Sequence, residues 1–145
     1  MKHLALGLLL FLLAGAAAAH ADGAAAPTGR WLTASRSLEI EIAPCGKALC
    51  GTVVRVLSDK PMSPDAAAPA EKPAAPALGL EVLRDFVPDG AGRWSGRIYD
   101  RFNGKTYDCL MTIAAADRLQ VRPYLVLPLF GKTQVWTRLA EPVRR

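Results

Sequence analysis

Beyond residue 28 the dominant pattern is a hydrophobic and polar alternation with a period of two. Residues 37–43, SLEIEIA, place Leu38, Ile40 and Ile42 on one face and Glu39 and Glu41 on the other, which predicts a half-buried antiparallel strand. Pro44-Cys45-Gly46-Lys47 supplies turn chemistry, and residues 50–57, CGTVVRVL, form the return strand with β-branched residues at its centre. Residues 92–100, GRWSGRIYD, bring Trp94, Gly96 and Ile98 to one face. Asn103-Gly104 is the strongest hairpin signal in the chain. The strand predicted after it, residues 105–113, carries Tyr107, Cys109, Met111 and Ile113 on a common face, and residues 118–122, RLQVR, alternate again. Residues 29–33 predict a short opening strand and residues 131–138, GKTQVWTR, a closing one.

Three segments depart from this rhythm. Residues 58–77 are dominated by Ala and Pro, with Pro61, Pro64, Pro69, Pro73 and Pro76 breaking helix and strand alike. With no aromatic residue to anchor a lid, the expectation is a long unstructured loop. Residues 78–86, LGLEVLRDF, fit one helical turn or a strand, and a short strand or extended segment is preferred. Pro123 and Pro128 bracket Tyr124, Leu125, Val126 and Leu127, with Leu129 and Phe130 following. Two prolines argue against a central strand, so this run either caps the core or lines the mouth of a cavity.

These elements add up to an all-β domain of six to eight short antiparallel strands, a small barrel or sandwich, over residues 29–140. The GRW at one end and the WTR at the other suggest that the last strand closes onto the first, with Gly29, Trp31, Trp136 and Arg138 as the closing residues. No repeat, heptad or long amphipathic helix interrupts this reading.

Residues 1–21 have the order of a secretory signal: Lys2 and His3, an apolar run over residues 4–13, then small residues ending in Ala19-His20-Ala21. Cleavage after Ala21 would leave a flexible leader over residues 22–28 and a periplasmic or secreted product. The apolar run is shorter than the ~20 residues of a spanning helix, and Asp22 rather than a cysteine follows the cleavage point, which excludes a lipid anchor there. Losing Lys2 lowers the net charge by one from +5. The arginines are scattered except for Arg144-Arg145, unlike the basic face of a nucleic-acid binder.

In an exported chain, Cys45 and Cys50 across a four-residue turn read as a disulfide, whose short loop is worth about 2 kcal/mol by chain entropy. Its role would be to fix the hairpin register. The CxxxxC spacing is not that of a redox-active CxxC pair. Cys109, among apolar neighbours, reads as a buried inert thiol. His3 and His20 both lie within the signal, so the mature chain lacks a histidine base, nucleophile partner or metal ligand. No metal site, cofactor or phosphate-cradling loop is expected. Asp100 and Asp108 are the one carboxylate pair that a glycosidase-like reading could use, and turn and surface roles fit them better. Packing accounts equally well for Tyr99, Tyr107 and Tyr124.

GRW near the start, IAPCGKALCG at the first hairpin, GRWSGRIYDRFNGKTY in the middle and LFGKTQVWTR at the end together resemble the bacterial family labelled domain of unknown function 2147, over residues 29–139. The resemblance implies a secreted or periplasmic up-and-down barrel of the lipocalin and calycin kind, with no established enzymatic activity. Two positions depart from the family pattern: Pro123-Tyr124 stands where Gly precedes the aromatic, and Arg101 where Pro is usual. Lipocalins carry a Gly-x-Trp whose indole packs under an Arg from the closing end, roles that Gly29, Trp31 and Arg138 could fill. The expectation is a binding module for a small hydrophobic ligand, held by Tyr124, Leu125, Leu127 and Phe130. The alternative is an envelope protein-interaction or inhibitor module without a ligand cavity. A cavity of about 300 Å³ or more favours the first, and a filled barrel with an exposed apolar patch the second.

Overall fold

The computed structural model describes residues 26–66, 73, 75–90 and 92–141. The expected signal, most of the leader and the middle of the Ala/Pro-rich stretch lie outside these residues. Eight antiparallel strands follow one another around a closed barrel: β1 (Gly29–Leu32), β2 (Leu38–Cys45), β3 (Ala48–Val56), β4 (Glu81–Pro88), β5 (Arg93–Asp100), β6 (Lys105–Ala115), β7 (Arg118–Tyr124) and β8 (Gln134–Arg138). Every neighbour in the sheet is a neighbour in sequence except β1 and β8, which close the ring. A 3-10 turn, Pro128–Phe130, is the one helical element among the described residues.

Alternation explains the filling of the barrel. Leu38, Ile40 and Ile42 of β2 are buried and Glu41 is exposed, while Cys109 and Met111 of β6 and Leu119 and Val121 of β7 point into the same core. Glu39 departs from its expected exposure. A bulge follows it, and Arg55 on β3 reaches across with Nη1 3.3 Å from its carboxylate, which compensates the burial.

In β4, Val82, Leu83 and Phe86 are all buried, a spacing that imitates a helix. The cause is a register shift between Arg84 and Val87, where Asp85 takes φ 57° and turns the strand so that Leu83 and Phe86 both face inward. Two glycines make room for these side chains. A Cβ on Gly51 would lie 2.7 Å from Leu83, and one on Gly96 would lie 2.6 Å from both Phe86 and the Arg84 carbonyl. The strand therefore packs flat against its neighbours only where they lack a side chain.

The end holding the β2–β3 turn is shut. Cys45 and Cys50 form a disulfide across that turn. Trp31 is fully buried and its Nε1 donates to the Pro27 carbonyl at 2.8 Å, while the Arg138 guanidinium lies 4.2 Å over the indole. Arg138 also donates from Nη1 to the Thr28 carbonyl at 2.6 Å and from Nε to the Ala116 carbonyl at 2.7 Å. Gly29 has φ 112°, and a Cβ there would come within 3.0 Å of Arg138 Nη1, so only glycine lets the guanidinium lie down. Trp136 contributes to the core instead, fully buried on β8 with Nε1 donating to the Gln134 side-chain oxygen.

Two sequence expectations change. β7 runs through Pro123 to Tyr124; β8 pairs only as far as Val121, so Pro123 sits where the strand has a single neighbour, an edge-like position that tolerates it. The Asn103-Gly104 hairpin, by contrast, falls where expected, its four residues 101–104 held by Asp100 accepting from the Phe102 amide and Asn103 from the Lys105 amide. The Ala/Pro-rich stretch is anchored after all: Met62 packs against the core, its carbonyl accepts from the Ser35 amide at 3.0 Å, and Ala77 is buried. An apolar side chain between prolines, not an aromatic ring, makes the contact.

Cys109 is fully buried and its thiol is pushed well above its ordinary value, first by burial, with a backbone contact to Arg122 acting against it. Thiol titration of oxidised protein should therefore find no fast-reacting thiol in the folded state and one after denaturation; three would mean that the disulfide is absent. Arg138→Ala should lower stability in urea unfolding by about 1 to 2 kcal/mol, from loss of the cation–π contact and its hydrogen bonds. An unchanged midpoint would show that the ring closes without this clamp.

Candidate ligand site at the open end

Strand direction places the 33–37 turn, the two ends of the 57–80 connection, the 101–104 turn and the 125–133 segment together at the end opposite Arg138. Here the core stops short. Leu38, Val82 and Ile98 form the floor of a cavity of about 140 Å³, with Tyr107 as a wall and Pro61 and Met62 as a roof. A more open groove of about 350 Å³ shares Ser63, Ala66, Tyr107, Pro123 and Gln134 with it. The two share these residues and form one recess, a partly enclosed apolar chamber beside a groove along β7.

The roof is built by polar contacts. Thr33 Oγ1 accepts from the amides of Ser37 and Leu38, and Ser37 Oγ donates to the Pro61 carbonyl at 3.4 Å. At the other side Arg101 enters from the β5–β6 turn. Its side chain is only 6% exposed, its Nη2 donates to Asp59 Oδ1 at 2.6 Å, and its guanidinium carbon lies 4.5 Å from the centroid of the Phe102 ring. Lys60 and Asp100 also line the chamber, so charge of both signs gathers at one edge of an otherwise apolar space.

Of the residues expected to hold a ligand, Tyr124, Leu125 and Phe130 line the groove. Leu127 lines neither part and is half exposed. Val126 at φ 65° and a hydrogen bond from the Leu127 amide to the Leu125 carbonyl break the extended run, so the strand parity that would bring Leu127 inward is lost. Arg122 then secures the segment, with Nε donating to the Pro128 carbonyl at 2.7 Å and Nη1 to Thr133 Oγ1 at 2.8 Å. Gly131 approaches so closely that a Cβ would meet the Pro123 carbonyl at 2.5 Å.

Gly29, Trp31 and Arg138 lie at the far end and take no part in the recess. Asp108 is exposed opposite Arg97 on the outer face, while Asp100 holds the 101–104 turn, so the two carboxylates are not brought together. Arg97 pairs with Asp85, whose hydrogen bond and charge raise the guanidinium above its ordinary value. The Tyr124 hydroxyl is likewise raised, by loss of solvent and then by Asp108. Among the described residues no group of three His, Cys, Asp or Glu side chains is placed to hold a metal. Sequence reasoning missed Met62 and Arg101. The apolar residue in KPMSP was a signal for the first; nothing in the alternation marked the second.

Comparison with solved structures finds similarity to protein HP1028 from the human pathogen Helicobacter pylori, described as belonging to the lipocalin family: 18% identity, a TM-score of 0.58, and coverage of 79% of this chain and 83% of that one. At that identity the likeness is one of fold, an eight-stranded lipocalin-like barrel. No curated protein matches the chain. A family model described as "Uncharacterized protein conserved in bacteria (DUF2147)" spans residues 29–138, the whole of the barrel from β1 to β8, and by that match the chain belongs to this bacterial family.

Proposed function

We propose that this protein is an exported binding module that takes a small, largely apolar ligand into the open end of its barrel. The observation that carries the reading is the chamber itself: about 140 Å³ of space over Leu38, Val82 and Ile98, continuous with a groove of about 350 Å³. Elsewhere the interior is filled by its own side chains, among them Trp136, Phe86, Leu83 and Met111. Small barrels with filled interiors keep ligand space only at a mouth. Drug-sized ligands occupy roughly 300 to 1,000 Å³, so a ligand here is smaller, or is enclosed at one end and lies along β7 at the other.

Binding without catalysis fits the chemistry. His3 and His20 both precede the barrel, and Asp100 and Asp108 are apart. Export fits the Cys45–Cys50 disulfide, which belongs to an oxidising compartment. No helix among the described residues is long and apolar enough to cross a membrane.

A second reading has its own observation. Leu125, Val126, Leu129 and Phe130 are 63% to 87% exposed on a segment held in place by Arg122, and such a patch suits a partner protein in the envelope.

Titration with the neutral fluorophore N-phenyl-1-naphthylamine separates the two. Ala66 is exposed yet borders both parts of the recess, so Ala66→Trp plugs the mouth without disturbing the core. Probe affinity should fall at least tenfold in Ala66→Trp and stay unchanged in Leu127→Asp. Loss of binding in Leu127→Asp, with Ala66→Trp unaffected, would move the apolar site to the outer patch and favour the protein partner.

A further inference from the structure

Arg101 is an expensive residue to place where it is. A guanidinium taken out of water needs its five N–H donors met, yet its hydrogen-bond partner among the described residues is one carboxylate, Asp59, which is itself 73% exposed. No buried side-chain nitrogen or oxygen among those residues lacks a partner, and Arg101 borders two spaces, the chamber on one side and, with Asp59, a more open hollow beside Val56, Ala77 and Leu78 on the other. On the chamber side Arg101 shares the lining with Leu38, Val82 and Ile98, which offer its guanidinium no side-chain acceptor. Asp59 belongs to the 57–66 segment, so its bond to Arg101 also ties the roof to the β5–β6 turn.

Resting on the ligand-binding reading above, we infer that the recess selects monocarboxylates: an apolar body of about the size of an aromatic ring seats on the chamber floor while its carboxylate meets Arg101 from the chamber side, in competition with Asp59, which holds Arg101 from outside the chamber. A cavity of about 150 Å³ is known to hold a benzene-sized ring, close to the volume of the chamber here. Charge limits the ligand to one negative group. Lys60 and Asp100 line the chamber with Arg101, and Asp59 pairs with Arg101 from outside it, so these charges are balanced before the ligand arrives and a dianion would find no surplus cation. A bidentate contact between guanidinium and carboxylate inside a water-poor space is stronger than the exposed bond it replaces. Asp59 thus acts as an internal competitor that keeps Arg101 paired when the chamber is empty.

Isothermal titration of the folded, disulfide-bonded protein with 4-phenylbutanoate and its neutral amide tests this. The acid should bind at least tenfold more tightly than the amide. Arg101→Gln should bring the acid down to the affinity of the amide, and Asp59→Asn, which removes the competitor, should tighten the acid about threefold or more and leave the amide unmoved. Equal affinity for acid and amide in the unaltered protein would overturn the inference and leave the ligand reading standing. Binding of neither, with N-phenyl-1-naphthylamine still taken up, would overturn it too; failure of all three would bring down the ligand reading as well. Weaker acid binding in Asp59→Asn would show that the pair is a strap for the roof and not a competing contact. Should Arg101→Gln fail to fold, the direction of the Asp59→Asn effect decides alone.

Discussion

Everything in this molecule depends on the joining of β1 to β8. The other pairings link strands that follow each other in sequence, so each costs little loop entropy. The last one is different: the Arg138 to Thr28 hydrogen bond spans 110 residues, and the ladder between the two strands has only two register pairs, Trp31 with Arg138 and Leu32 with Thr137. So short a ladder is a weak seam. It holds because one guanidinium does three things at that place, covering the Trp31 indole and tying down the carbonyls of Thr28 and Ala116. Gly29 is the condition for this, since a side chain there would hold Arg138 away.

With the ring closed, the interior has a fixed volume that the strands fill almost completely. Phe86 against Gly96 and Leu83 against Gly51 show how tightly: each large side chain is matched by the absence of one opposite. Packing of this kind leaves no central calyx. What remains is a gap at one end, where β4 begins at Glu81 and β8 at Gln134 and the chain must cross between strands through long segments. The recess is therefore a product of the connections, and its shape rests on Met62, Tyr107 and the roof contacts of Ser37 rather than on the barrel wall.

Much of the fold was readable because a half-buried strand writes its own pattern. Leu38, Ile40 and Ile42 announced β2, the two cysteines marked a turn, and GRW with WTR named the seam. The ambiguity over residues 78–86 had a physical source: the bulge at Asp85 puts Val82, Leu83 and Phe86 in the core at a spacing that no regular strand has. The site was less legible. Alternation tells which face a residue takes, but not what crosses the end of a barrel, so Met62 was lost in a proline-rich stretch and Leu127 was placed at the mouth with an apolar run that the turn at Val126 redirects. Arg101 stood out only as a departure from the family pattern, since a turn arginine is ordinarily solvated and nothing in the alternation announces that this one is buried.

The chain enters the barrel at Pro27 and leaves it at Leu139, whose amide donates to the Arg30 carbonyl, and both points lie at the shut end beside Arg138. Geometry then gives the molecule a polarity. A tether continuing directly from either of these points would grip the shut end and hold the mouth away from the surface it is fixed to. The two ends can accordingly change under separate constraints: one is committed to keeping the ring intact, while the loops at the other are free to alter what they enclose.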